Sequence, residues 1–198
     1  MEIASKIERN LTSEGKIVVG IDEVGRGSLV GPVVACAFSL NSLNSKIKVN
    51  DSKVLSKNKR NYTFIQLMNS GSVFGLGFSS HEEIDQINIL NATKLAMKRA
   101  VENLNITPDI LLIDGNQKIG TKFQELCVIK GDQKCKSIAA ASIIAKISRD
   151  FLLKKISEIF PYYNLNQNKG YGTKEHVDLI KKYGMSPFHR KTFRIKLT

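Results

Sequence analysis

Five short apolar runs punctuate a largely polar chain. "IVVGI" (17–21) lies between Gly15 and an acidic pair, and "VVACAFSL" (33–40) follows the turn signal Gly31-Pro32. The two predict strands paired antiparallel. "SVFGLGFSS" (72–80) predicts a third strand, weakened by Gly75 and Gly77. Before it, "NDSKVLSKNKRNYTFIQLM" reads as a polar loop running into a helix. From Asn91 the period turns helical, with Ala92, Leu95, Ala96, Arg99 and Ala100 set against Lys94, Lys98 and Glu102; it fades near Asn105, before Pro108. "DILLID" (109–114) and "LCVIKGD" (126–132) predict two more strands. The segment "SIAAASIIAKISRDFLLKKISEIF" predicts a long helix from Ser137 to Pro161. Its three consecutive alanines permit close packing, and Ile144, Ile147 and Phe151 form its inward stripe.

An antiparallel start followed by strand, helix, strand implies a crossover and therefore an α/β fold, a mixed five-stranded sheet flanked by helices. Residues 1–159 form its main domain. After Pro161 the character changes to a loop, one helix capped by Thr173 and a basic tail, so residues 160–198 are expected as a small helical C-terminal extension packed on that domain. The chain shows no internal repeat or low-complexity segment.

Composition narrows the class. The 198 residues suit one large domain, 42% hydrophobic and 24% charged. No run is long and apolar enough for a bilayer, the N-terminus "MEIASKIERNLTSEGK" is too charged for a signal peptide, and the three cysteines lack metal-binding spacing. A cytoplasmic monomer with reduced thiols is expected. Lys and Arg number 30 against 18 Asp and Glu, a net charge of +12 that suits a polyanionic partner.

The apolar runs share an ending. Asp22 and Glu23, Asp114 in "LLIDGN" and Asp132 in "VIKGD" each follow one. If these strands are neighbours, their ends meet at one sheet rim, where α/β folds bind ligands. Each aspartate alone also fits an ordinary turn. Asp22 and Glu23 are harder to dismiss, although strand alternation would send them to opposite faces unless the chain bends, which Gly25 and Gly27 make easy. Four such acids need cations, and hard oxygen donors select Mg²⁺ or Mn²⁺. A dinucleotide-binding glycine loop is the rival for "GRGSLVG". The adjacent acids would repel a pyrophosphate, and Pro32 opens a strand where that motif needs a helix.

The ordered set "GIDEVGRGSLVGPVV", "NDSKVLS", "INILNATKLAMKRAV", "LLIDGN", "VIKGD", "SIAAASIIAKISRD", "KGYGTKEH" and "SPFHRKTF", spanning residues 17 to 194, closely resembles bacterial ribonuclease HII, the type 2 ribonuclease H family. The resemblance implies a ribonuclease H-like fold and an endonuclease that cuts the RNA strand of RNA–DNA hybrids and incises duplex DNA 5′ to an embedded ribonucleotide, leaving 3′-hydroxyl and 5′-phosphate ends. By motif its catalytic, metal-binding carboxylates fall on Asp22, Glu23, Asp114 and Asp132, with two Mg²⁺ or Mn²⁺ ions. Its backbone-reading element falls on Gly25, Arg26 and Gly27, and its sugar-sensing tyrosine on Tyr171.

Lys53, Ser142, Lys146 and Arg149 are candidate phosphate contacts, and His189 and Arg190 match the family's "HR" element. His81 and His176 read as surface or structural residues. Ser28, Val30 and Gln133 depart from the family's usual residues without touching this chemistry. The residues ahead of Ile17 leave no room for the extra domain of ribonuclease HIII, which favours type HII. A silent hybrid-binding protein and a junction resolvase are the rivals. The four acids argue against the first and the 2′-hydroxyl-sensing elements against the second.

Overall fold

The computed structural model describes residues 6–40, 47–49 and 55–194. Helix α1 (Lys6–Ser13) precedes strands β1 (Val18–Val24) and β2 (Val33–Ser39). Then come α2 (Lys57–Asn69), β3 (Val73–Ser79), α3 (His81–Glu102), β4 (Ile110–Asp114) and β5 (Gln124–Val128). Helices α4 (Lys136–Ile159), α5 (Leu165–Asn168) and α6 (Lys174–Tyr183) complete the chain. The sheet order is β3-β2-β1-β4-β5. β1 is its joint: it pairs antiparallel with β2 and parallel with β4, whose other edge takes β5 in parallel. The mixed five-stranded sheet expected from the sequence is present.

Alternation along β1 sorts its side chains between two cores. Val19 and Ile21 face α3 with Ala35, Ala37, Leu111 and Ile113, meeting Ala92, Ala96 and Ala100 of the helix. On the other side Val34, Cys36 and Phe38 meet Ala139, Ala140, Ala141, Ile143 and Ile144 of α4 and Leu67 of α2. The alanine run does what its small size allows. A Cβ on Gly20 would lie 2.3 Å from the Ile138 amide nitrogen, so β1 and the start of α4 touch backbone to backbone. Gly75 and Gly77, expected to weaken β3, instead admit α3: Cβ atoms there would meet the carbonyl oxygens of Ala100 at 2.2 Å and Ala96 at 2.0 Å.

Several boundaries differ from expectation for identifiable reasons. Helix α3 starts at His81 rather than Asn91, opened by a Ser80–Glu83 capping box. Asn88, at φ 65°, interrupts it, and the Asn88 Oδ1 accepts from the amides of Leu90 and Asn91, so the periodicity seen from Asn91 is the helix restarting. β5 ends at Val128 because Lys130 adopts a left-handed φ of 56°, and Asp132 sits in a 3₁₀ turn (Gly131–Gln133) instead of on a strand. Phe151 is 60% exposed: that part of α4 has passed the sheet, and Leu153 and Ile156 pack instead with Leu29, Val30, Tyr163, Leu165 and Ile180. Residues 160–194 thus build an apolar cluster around the β1–β2 connection. Helix α1 was not foreseen.

Candidate active site

Asp22 is buried on the α4 side of the sheet, opposite Cys36 on β2. The chain does not bend at Asp22 and Glu23; the ladder runs to Val24 paired with Val34, and the turn comes at Gly25, φ 98°. Asp22 and Glu23 nevertheless remain electrostatic neighbours of Asp114, which ends the adjacent parallel strand. Burial first, then Glu23 and Asp114, push the Asp22 carboxyl well above the ordinary carboxylate range, against hydrogen bonds from the Ser142 hydroxyl and the Glu23 amide. Burial also raises Glu23, offset by Arg26, whose Nη1 lies 3.4 Å from its Oε1. The Gly131 amide donates to Asp114 Oδ1 at 2.6 Å, which seats the turn bearing buried Asp132 against β4.

Beside these acids runs the connection from Gly25 to Pro32, held from behind by two buried guanidiniums. Arg149, 0% exposed, donates to the carbonyls of Pro32 (3.0 Å), Lys169 (3.1 Å) and Val30 (3.0 Å). Arg190, 1% exposed, donates to those of Gly25 (2.7 Å), Arg26 (2.9 Å) and Gly31 (3.0 Å). Burial pushes Arg190 down to about 9, still charged at neutral pH. Tyr171 stands against the loop: its residue bridges to Ser28, and its ring lies 4.0 Å from where a Gly27 Cβ would be. The ring is 38% exposed. Gly170, at φ 76°, lets the strands interlock, since a Cβ there would sit 2.6 Å from Ser28 Oγ.

The structure places four of the expected substrate contacts in the interior of the fold. Ser142 serves Asp22, and Arg149 and Arg190 spend their donors on backbone carbonyls. His189 is buried, its Nδ1 accepting from the Ser186 amide. None of the four presents its polar atoms at the surface. Lys146 pairs with Asp150 at 2.6 Å. Lys53 lies outside the described residues.

A family model for ribonuclease HII matches residues 19–196. The chain belongs to the ribonuclease HII family. A ribonuclease HII from Macrococcus caseolyticus is 50% identical over 192 residues, 97% of this chain and 72% of that protein. The ribonuclease H2 structure from Pyrococcus horikoshii OT3 superposes with a TM-score of 0.73 at 26% identity, covering 90% of this chain and 94% of that one. The structure of Bst-RNase HIII in complex with Mn²⁺ shares the fold at 17% identity, TM-score 0.64, over 85% of this chain and 63% of its own.

Membership makes the chain a ribonuclease H hydrolase with the ribonuclease H-like fold. Its donor set suits a hard divalent cation: Asp22 and Glu23 carry oxygens driven toward protonation by burial and by neighbouring carboxylates, Asp114 in both cases, a cost that a bound cation relieves. Among the described residues, no three His, Cys, Asp or Glu side chains are already gathered around a point that could hold an ion. One position left no trace in the sequence pattern. Glu8 of α1 accepts from the Lys136 and Ser137 amides, capping α4; its distance of more than a hundred residues in sequence left no signal. His176, expected as surface or structural, is fully buried and so structural. Among the described residues no helix is long and apolar enough to cross a membrane.

Proposed function

We propose that this chain hydrolyses the RNA strand of RNA–DNA hybrids and incises duplex DNA 5′ to an embedded ribonucleotide, leaving 3′-hydroxyl and 5′-phosphate ends. One observation carries the reading: the acids Asp22, Glu23 and Asp114 stand at the mouth of the Gly25–Gly27 turn that Tyr171 abuts. Chemistry and ribonucleotide sensing thereby share one edge. Telling RNA from DNA at one position requires contact with the 2′-hydroxyl. Arg190 gathers the carbonyls of Gly25, Arg26 and Gly31 inward, which leaves this turn's other face for substrate. Tyr171 offers a half-exposed aromatic surface to a neighbouring sugar.

Asp22, Glu23, Asp114 and Asp132 would hold two Mg²⁺ or Mn²⁺ ions, which supply a nucleophilic water and charge for the leaving 3′-oxygen. The protein's own part is to fix Asp22 through Ser142 and the Glu23 amide, and to set the Asp132 turn on Asp114. Arg26, half-exposed beside Glu23, is placed to meet a phosphate. The C-terminal residues 160–198 act as the substrate-binding extension, since they carry Tyr171 and the Arg190 that braces the loop.

The test is cleavage, with Mg²⁺ or Mn²⁺, of an RNA–DNA hybrid, a duplex with one ribonucleotide, an all-DNA duplex and a four-way junction. Incision of the first two only is expected, and Asp114→Asn should abolish it while duplex binding persists. Cutting of the junction or the all-DNA duplex would overturn the assignment.

A further inference from the structure

Two imidazoles that take no direct part in the chemistry lie behind the sensing edge. His176, at 0% exposed, and His189, at 1%, have ring centroids 5.5 Å apart, and the Nε2 of each is buried with no hydrogen-bond partner. Their other nitrogens settle the tautomers. His176 Nδ1 lies 2.9 Å from the Tyr171 carbonyl, which can only accept, so Nδ1 carries the proton and Nε2 a lone pair. His189 Nδ1 accepts from the Ser186 amide at 2.8 Å, so its proton sits on Nε2. One orphan is thus a donor and the other an acceptor. Left unmet, each would be a costly buried polar atom.

We propose that His176 and His189 are positioning residues: a neutral pair of opposite tautomers, bridged by one buried water, that locks Tyr171 to the loop at Gly25–Gly27. The proposal rests on reading that edge as the ribonucleotide sensor. A single water accepts from His189 and donates to His176, a common role for buried water between polar groups. His176 thereby holds the carbonyl of Tyr171. His189 bridges to Val30 and precedes Arg190, which holds the carbonyls of Gly25, Arg26 and Gly31. The two halves of the sensor meet through this pair. Burial favours the neutral form of both rings and lowers His189 to about 4.

Long-range ¹H–¹⁵N NMR on the full chain at neutral pH tests the tautomers directly. A protonated Nδ1 on His176 and a protonated Nε2 on His189 are expected; a charged ring or the reverse assignment of either overturns the proposal. Kinetics on the duplex with one ribonucleotide test the coupling. His176→Asn keeps a donor at the Nδ1 position but loses the Nε2 acceptor of the bridge, so it should recover only part of the kcat lost in His176→Gln. His176→Gln and His189→Ala should lower kcat about 10-fold or more with KM little changed, since misplacing a positioning group costs up to roughly 100-fold. Unchanged kcat in folded His176→Gln and His189→Ala protein overturns the coupling. Tyr171→Ala is the separate control: if it cuts the ribonucleotide-containing duplex as the wild type does, the sensor reading itself fails, whatever the tautomers.

Discussion

Gly25 and Gly115 form a matched pair, because their φ angles are nearly equal, 98° and 96°. Alanine at either position incurs left-handed strain of about 1–2 kcal/mol. At Gly115 the new methyl meets nothing within 4 Å. At Gly25 it would lie 2.2 Å from Arg149 Nε, 2.7 Å from Cδ and 2.9 Å from Cζ, so the guanidinium must leave. It would give up bonds to the Pro32, Lys169 and Val30 carbonyls, each worth about 1.5–3 kcal/mol for a charged donor. Losing one or two sets the excess cost of Gly25→Ala over Gly115→Ala at about 3 kcal/mol. In a chain of this length that is roughly 6–12 °C in Tm. Thermal unfolding of both variants checks it, and Arg149→Ala should make the Gly25→Ala cost markedly non-additive. Equal Tm losses for the two glycine variants would refute the reasoning that Arg149 fills this space.

Asp22→Asn should remove activity yet raise Tm at neutral pH. The folded-state carboxyl titrates above its unfolded value of 3.8, so the stability it permits is present in acid and lost as pH rises. The gain should vanish near pH 3, and a gain independent of pH would count against it. Glu83 has the opposite sign: two hydrogen bonds from Arg99 (2.8 and 2.7 Å) help lower it from 4.5 to about 2. Its contribution is present above its unfolded value and lost as pH falls toward 2, so Glu83→Gln should flatten the Tm–pH curve over that window. Glu8→Ala uncaps α4 and should cost about 1–2 kcal/mol in urea unfolding.

The strands were readable because their apolar runs are short, β-branched and bounded by turn residues, as in "IVVGI" and "DILLID". The candidate acids stood out for the same reason, since each follows such a run. What alternation alone hid was that Asp22 and Glu23 need no bend to share a neighbourhood with Asp114. The glycines of β3 were misjudged because their cost in a lone strand is outweighed by contact with α3, which one sequence does not display. Arg149 looked like a phosphate ligand, and Arg190 like part of a motif of open role, because charge pattern cannot distinguish an exposed guanidinium from one wrapped in carbonyls 117 and 165 residues away. Their true partners lie across the fold.

The wrapping of Arg149 and Arg190 separates two properties that salt usually moves together. Grip on a polyanion weakens with ionic strength, because binding releases counterions that the solution then supplies in excess. Guanidiniums sealed at 0% and 1% exposure are scarcely screened, so the contour of the loop they brace survives. With that loop as the proposed ribonucleotide sensor, added salt should loosen the hold on every duplex alike while sparing the choice among them.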